Sequence, residues 1–198
     1  MASVLGSNLS SMVETPEPLQ GGDELRRALW QEANRVIIDS TYSGREHQAV
    51  GNRWEVINRW LGVPAAVAGA LVAGGAAVSA LTGGNKGLTA TLALIAAGLS
   101  AARTFLRPDE IAEGHGLNGD RFISLANDAR TFQQLDLRSS LSDDALRDRC
   151  AHLSKRRNEL RESPPRHLPA WAYKKAKDGI AAGESDYEND PLWLEYPS

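Results

Sequence analysis

The sequence predicts an all-α protein built on a two-helix transmembrane hairpin, with long cytoplasmic helical extensions and disordered termini. Two uncharged apolar runs flank a short polar turn, apolar residues recur at helical spacing on both sides of them, and no useful period-two strand pattern occurs. Whole-chain averages conceal this. The formal net charge is only −3 and the apolar fraction an ordinary 42%, yet charge and apolar residues are segregated along the 198 residues.

Residues 1–22 carry only Glu14 and Glu17 and lack both the basic and the long apolar region of a signal peptide. They are expected to be a disordered leader, leaving membrane insertion to an internal segment. Residues 23–182 form the predicted helical domain. Over 23–59, Leu25, Leu29, Ala33, Val36 and Ile37 share one side; the pattern breaks near Ser43-Gly44 and resumes at Trp54, Ile57 and Trp60. This helix should run directly into the first span.

The first span, 60–81, is free of charge, and as a helix would be about 33 Å long, enough for a hydrocarbon core of about 30 Å. Residues 82–86 (Thr-Gly-Gly-Asn-Lys) allow only a tight reversal. The second span, 87–106, has an uncharged part ending at Ala102, and Thr104, Phe105 and Leu106 extend it if Arg103 snorkels. Arg45, Arg53 and Arg59 precede the hairpin and Arg103 and Arg107 follow it, whereas the turn holds only Lys86. The positive-inside rule then places both termini in the cytoplasm.

Beyond the spans, Pro108-Asp109-Glu110 starts a helix over 109–137, with Phe122, Leu125, Ala129 and Phe132 as its apolar stripe. Ser142 opens another over 142–162, carrying Leu146, Cys150, Leu153 and Leu160. A short helix over 169–182 begins at Pro169, and 183–198 is an acidic tail containing Trp193. A single cysteine excludes an intramolecular disulfide.

Small residues recur at every fourth position in the spans: Gly62, Ala66, Ala70 and Gly74; Ala65, Gly69, Ala73 and Ala77; Ala93, Ala97 and Ala101. Such stripes let helix backbones approach closely in lipid. With two of them on one helix, one is expected to pack within the hairpin and the other between protomers, so a homo-oligomer is predicted.

Few residues suggest chemistry. Gly114-His115-Gly116-Leu117-Asn118-Gly119 matches a dinucleotide fingerprint in letters, but no strand feeds it, so a glycine-loosened helix or turn is the expectation. The histidines are scattered, and Cys150 with His152 is one spaced pair lacking a second, so neither a metal nor a cofactor is expected. No serine sits in a nucleophile elbow, and the chain is expected not to be an enzyme. Lys155, Arg156, Arg157, Arg161, Lys174, Lys175 and Lys177 form a candidate basic surface for anionic lipid or a charged signal, with a solvated helix face as the plainer reading. No nucleic-acid partner is expected.

The order of elements carries a resemblance. A Trp- and Arg-containing helix, a two-span hairpin, EIAEGHGLNGDRFISL over 110–125 and PPRHLPAWAYKKAKDGI over 164–180 resemble the SLATT family across roughly residues 25–182. Pro169, Tyr173, Ala176 and Ile180 stand where that family's short lysine-rich helix begins and ends. The resemblance implies a two-span membrane effector of bacterial conflict systems that forms a pore during phage infection. It also implies a nucleotide-signal synthase or a sensor protein encoded nearby as partner. Within the uncharged parts of the spans, 60–81 and 87–102, the polar side chains are Ser79, Thr89, Thr91 and Ser100, and this lack of charge disfavours a proton relay or dedicated ion transporter. The alternative is a passive membrane scaffold that recruits a cytosolic partner through its helical region.

Overall fold

The computed structural model describes residues 21–75, 79, 83 and 86–184. Residues 1–20 of the predicted leader, most of the end of the first span with Ala77, most of the polar turn, and the acidic tail after Glu184 lie outside the described residues, and the leader's last two residues, Gly21 and Gly22, are helical. Within them the chain is all-helical and no strand occurs. The helices described in full are α1 (Gly21–Ala73), α2 (Lys86–Leu106), α3 (Pro108–Gln134), α4 (Asp143–Glu162) and α5 (Ala170–Ala181), with a 3-10 turn at Asp136–Arg138.

α1 is the organising rod, 53 residues and about 80 Å long. The expected break at Ser43-Gly44 is absent. Gly44 is buried there, and a Cβ on it would lie 3.2 Å from the Gly119 carbonyl oxygen and 2.8 Å from Ile123 Cδ1. Tertiary packing against α3 thus overrides the weak local propensity of glycine. Farther along, Pro64 sits inside the helix and removes one backbone donor without ending it.

Local signals set the other helix ends. Pro108 stops α2 and opens α3; the preceding Arg107 takes a left-handed conformation (φ 46°) that costs a non-glycine residue on the order of 1 kcal/mol or more. The Ser142 hydroxyl accepts from the Ala145 amide at 3.3 Å, an N-cap that fixes the start of α4. Asp109 and Glu110 at the start of α3, and Asp143 and Asp144 at the start of α4, complement the helix dipoles.

Most of the burial lies in the half of α1 before Trp54. Ala33, Val36 and Ile37 pack with Leu125, Ala129 and Phe132 of α3, Leu146, Cys150 and Leu153 of α4, and Ile180 of α5. Each large member contributes about 1.5–3 kcal/mol of apolar burial. A second, smaller cluster of Ala49, Val50 and Ala172, with Trp54, Leu168 and Trp171 against it, lies closer to the apolar arms. α3 runs antiparallel to α1, since Gly44 meets Gly119 and Gly51 meets Ala112 and Gly116. The glycines of the 114–119 segment therefore lie in a continuous α-helix, not a turn, and Gly119 is there for close helix contact.

Candidate functional site

The last part of α1 and the whole of α2 pack side by side as two apolar arms leaving the bundle. Their outward faces carry Val63, Val67, Leu94 and Ile95, all exposed, with Trp60 (74% exposed) and Phe105 (87%) nearer the bundle. An uncovered apolar surface of this kind marks a contact with lipid or protein. Among the described residues one helical stretch, within Ala90–Arg138, is long and apolar enough to cross a membrane, and none of its apolar window is buried. The first predicted span, 60–81, runs out of the described residues toward its end.

Apart from Lys86, where α2 begins, the charged residues in the described part of the arms lie at their base. Arg103 Nε donates to Asn58 Oδ1 at 3.0 Å, and its guanidinium lies 3.4 Å from where a Gly62 Cβ would be. Here Arg103 turns back to the neighbouring helix near its base. Arg59 pairs with Glu55 at 3.0 Å and Arg107 with Glu110.

The arms meet along Leu61, Ala65 and Ala68 of α1 and Leu92, Ala96, Leu99 and Ala102 of α2, the buried or half-buried positions. This corrects the expected division of the small-residue stripes, because neither stripe of α1 lines the seam as a whole. Gly62 and Ala93 are half-buried, whereas Ala66, Gly69, Ala70, Ala73, Gly74, Ala97 and Ala101 are exposed. A Cβ on Gly69 would meet nothing within 4 Å.

The predicted basic surface divides in two. Arg157 reaches Asp39 at 3.4 Å and Glu32 at 3.9 Å, Arg161 reaches Asp39 at 3.2 Å, and Arg156 pairs with Asp128. These arginines staple α4 to α1 and α3, so that half is not a free cationic patch. Lys155 forms only a loose pair with Glu159, at 3.9 Å. Lys174, Lys175 and Lys177 are exposed on α5 and form no ion pair with another described residue.

Beneath the arms, two histidines that sequence spacing left unconnected come together. His47 of α1 and His115 of α3 are both buried, with their Nδ1 atoms 2.9 Å apart, and Phe122 stacks on His47 at 5.6 Å. One proton serves that contact, so one ring donates and the other accepts, and two imidazoliums cannot share it. Desolvation, with the His115 charge second, pushes His47 down to about 4, and burial followed by the His167 charge lowers His115. No sequence signal pairs residues 68 positions apart.

Beside the pair, a cavity of about 540 Å³ opens between α1, α3 and the start of α5, lined by Val50, Arg53, Trp54, Ile57, Ile111, His115, His167, Pro169 and Trp171. Arg53 lies over the Trp171 ring at 4.8 Å. Across the α1–α3 seam a second cavity, about 460 Å³, carries Glu55, Glu113 and Asp120 instead. Cys150 is buried in the core with its thiol pushed up by desolvation and then by Glu32, while His152 is exposed, so the spaced pair does not converge. Among the described residues no three His, Cys, Asp or Glu side chains gather to hold a metal. No family model, curated protein or solved structure matches this chain.

Proposed function

We propose that this protein is a two-span inner-membrane effector of a bacterial antiphage system, with both termini cytoplasmic, that oligomerises and opens a pore when its helical region receives a signal. The observation that carries the reading is the pair of arms: large apolar side chains face outward along them, and arginines gather only at their base. The SLATT resemblance supports the same reading and supplies the expected trigger, a nucleotide signal or a partner protein. The continuity of α1 supports a coupling route, because one helix joins the bundle to the first arm and a rotation imposed on its buried half turns the arm with it.

Oligomerisation would use the exposed small residues Ala66, Gly69, Ala70 and Ala73, where a second copy can bring its backbone close. The test is expression in a bacterial host with dye entry and membrane depolarisation as readouts, beside carbonate extraction of the membrane fraction. Triggered wild-type protein is expected to stay in the carbonate-washed membrane and depolarise the cell. A Gly69→Leu variant is expected to insert equally and to lose depolarisation. Release by carbonate would overturn the two-span reading, and undiminished depolarisation by the variant would overturn the packing face.

A further inference from the structure

We infer that the cavity between Arg53, His167 and Trp171 binds the phosphate of an anionic phospholipid headgroup. The inference rests on the membrane reading and adds to it a specific lipid site. Charge is the first argument. Arg53 brings a permanent positive charge to the cavity and no acid lines it, whereas the acids Glu55, Glu113 and Asp120 line the cavity on the other side of the α1–α3 seam. A volume of about 540 Å³ with that lining suits an anion attached to an apolar stem.

The state of Arg53 is the second argument. Its helical neighbour Arg59 pairs with Glu55, and Arg107 with Glu110, yet Arg53 forms no ion pair with any described residue. Its guanidinium carbon instead lies 4.8 Å from the centre of the Trp171 ring, a contact that engages its face and leaves N–H groups for a ligand. A guanidinium held this way meets a phosphate diester with two parallel hydrogen bonds.

Depth is the third argument. Arg53 precedes Trp60 by seven positions on one helix, roughly 10 Å along the axis, a headgroup's distance below an aromatic residue at the membrane interface. Ile57 and Trp54 lie between them and line the apolar side of the cavity, where the glycerol and first acyl carbons of a lipid would rest. Phosphate also occurs in soluble molecules; the position under the arms is what selects the lipid as source.

The experiment uses the full chain purified in a neutral detergent, with native mass spectrometry counting retained phosphatidylglycerol or phosphatidylcholine, and glycerol phosphate and inorganic phosphate as soluble arms. The wild type is expected to retain phosphatidylglycerol at least tenfold more tightly than phosphatidylcholine and to retain neither soluble phosphate. Arg53→Gln is expected to remove that preference, and Arg53→Lys to keep only part of it. Arg59→Gln, six residues farther along α1 and already paired with Glu55, is expected to keep all of it. Equal retention of the two lipids, an undiminished preference in Arg53→Gln, an equal loss in Arg59→Gln, or tight retention of a soluble phosphate in place of the lipid would each overturn the site. Carbonate extraction separates the two failures: an integral protein that ignores phosphatidylglycerol loses this inference alone, and a released one loses the membrane reading.

Discussion

Acidification from about pH 7.5 to pH 5 should loosen the seam between α1 and α3 at the histidine pair. His47 is 4% exposed and held down to about 4, from its ordinary 6.5, by desolvation first and by His115 second. The folded state therefore takes up the proton less readily than the unfolded chain. Stability is complete above 6.5, falls as the pH drops from there toward 4, and does not fall further through this group below that. At pH 5 the linkage amounts to about 2 kcal/mol, and near pH 4 to about 3 kcal/mol. His115 is displaced in the same direction, first by burial, and adds to the effect. For a domain of this size, 2 kcal/mol corresponds to a fall in Tm of roughly 4–8 °C. The assay is thermal unfolding in neutral detergent at the two pH values, compared between wild type and His47→Gln, which keeps a hydrogen-bonding amide but cannot ionise in this range. The variant is expected to lose several degrees less than the wild type on acidification. Identical pH shifts in both proteins would refute the assignment of the acid sensitivity to His47.

The glycines of the α1–α3 seam give a matched pair of outcomes. A Cβ on Gly119 would stand 2.9 Å from Gln48 Cγ and 3.1 Å from the Gly44 carbonyl oxygen, so Gly119→Ala should destabilise by about 1–3 kcal/mol. At Gly116 a Cβ meets nothing within 4 Å, and Gly116→Ala should be neutral or stabilising by up to about 1 kcal/mol from helix propensity. Melting curves of the two variants decide it, and a reversed order would show the seam to be misplaced. Asp39 accepts from both Arg157 and Arg161, and the Arg157 side chain is only 14% exposed. Asp39→Asn should therefore cost on the order of 1 kcal/mol and raise amide exchange in α4; unchanged exchange there would remove the staple role.

Much of the helical architecture was legible because its signals are local. Pro108, Ser142 and Pro169 each mark a helix start by restricting φ or by capping an amide, and those effects need no distant partner. The stripes Val36-Ile37, Leu125-Ala129-Phe132 and Leu146-Cys150-Leu153 were legible for a similar reason, since a buried helix face must repeat at helical spacing. The uncharged runs were equally plain.

The tertiary structure alone decided which faces meet. Ser43-Gly44 looked like a break because glycine is a poor helix former in isolation, and its value as the point where α1 and α3 backbones touch depends on Gly119, 75 residues away. His47 and His115 become a pair through the same helix crossing, and Arg157 a staple instead of a free cation through the packing of α4 on α1. The arms follow from it as well. Because α1 is one unbroken helix, locking Gly44 and Gly51 against α3 fixes the phase of every later residue at about 100° per step, which turns Leu61, Ala65 and Ala68 toward α2 and leaves Ala66, Gly69 and Ala70 outside. Composition determined that these arms would be small and apolar; only the crossing upstream determined which of their faces stays open.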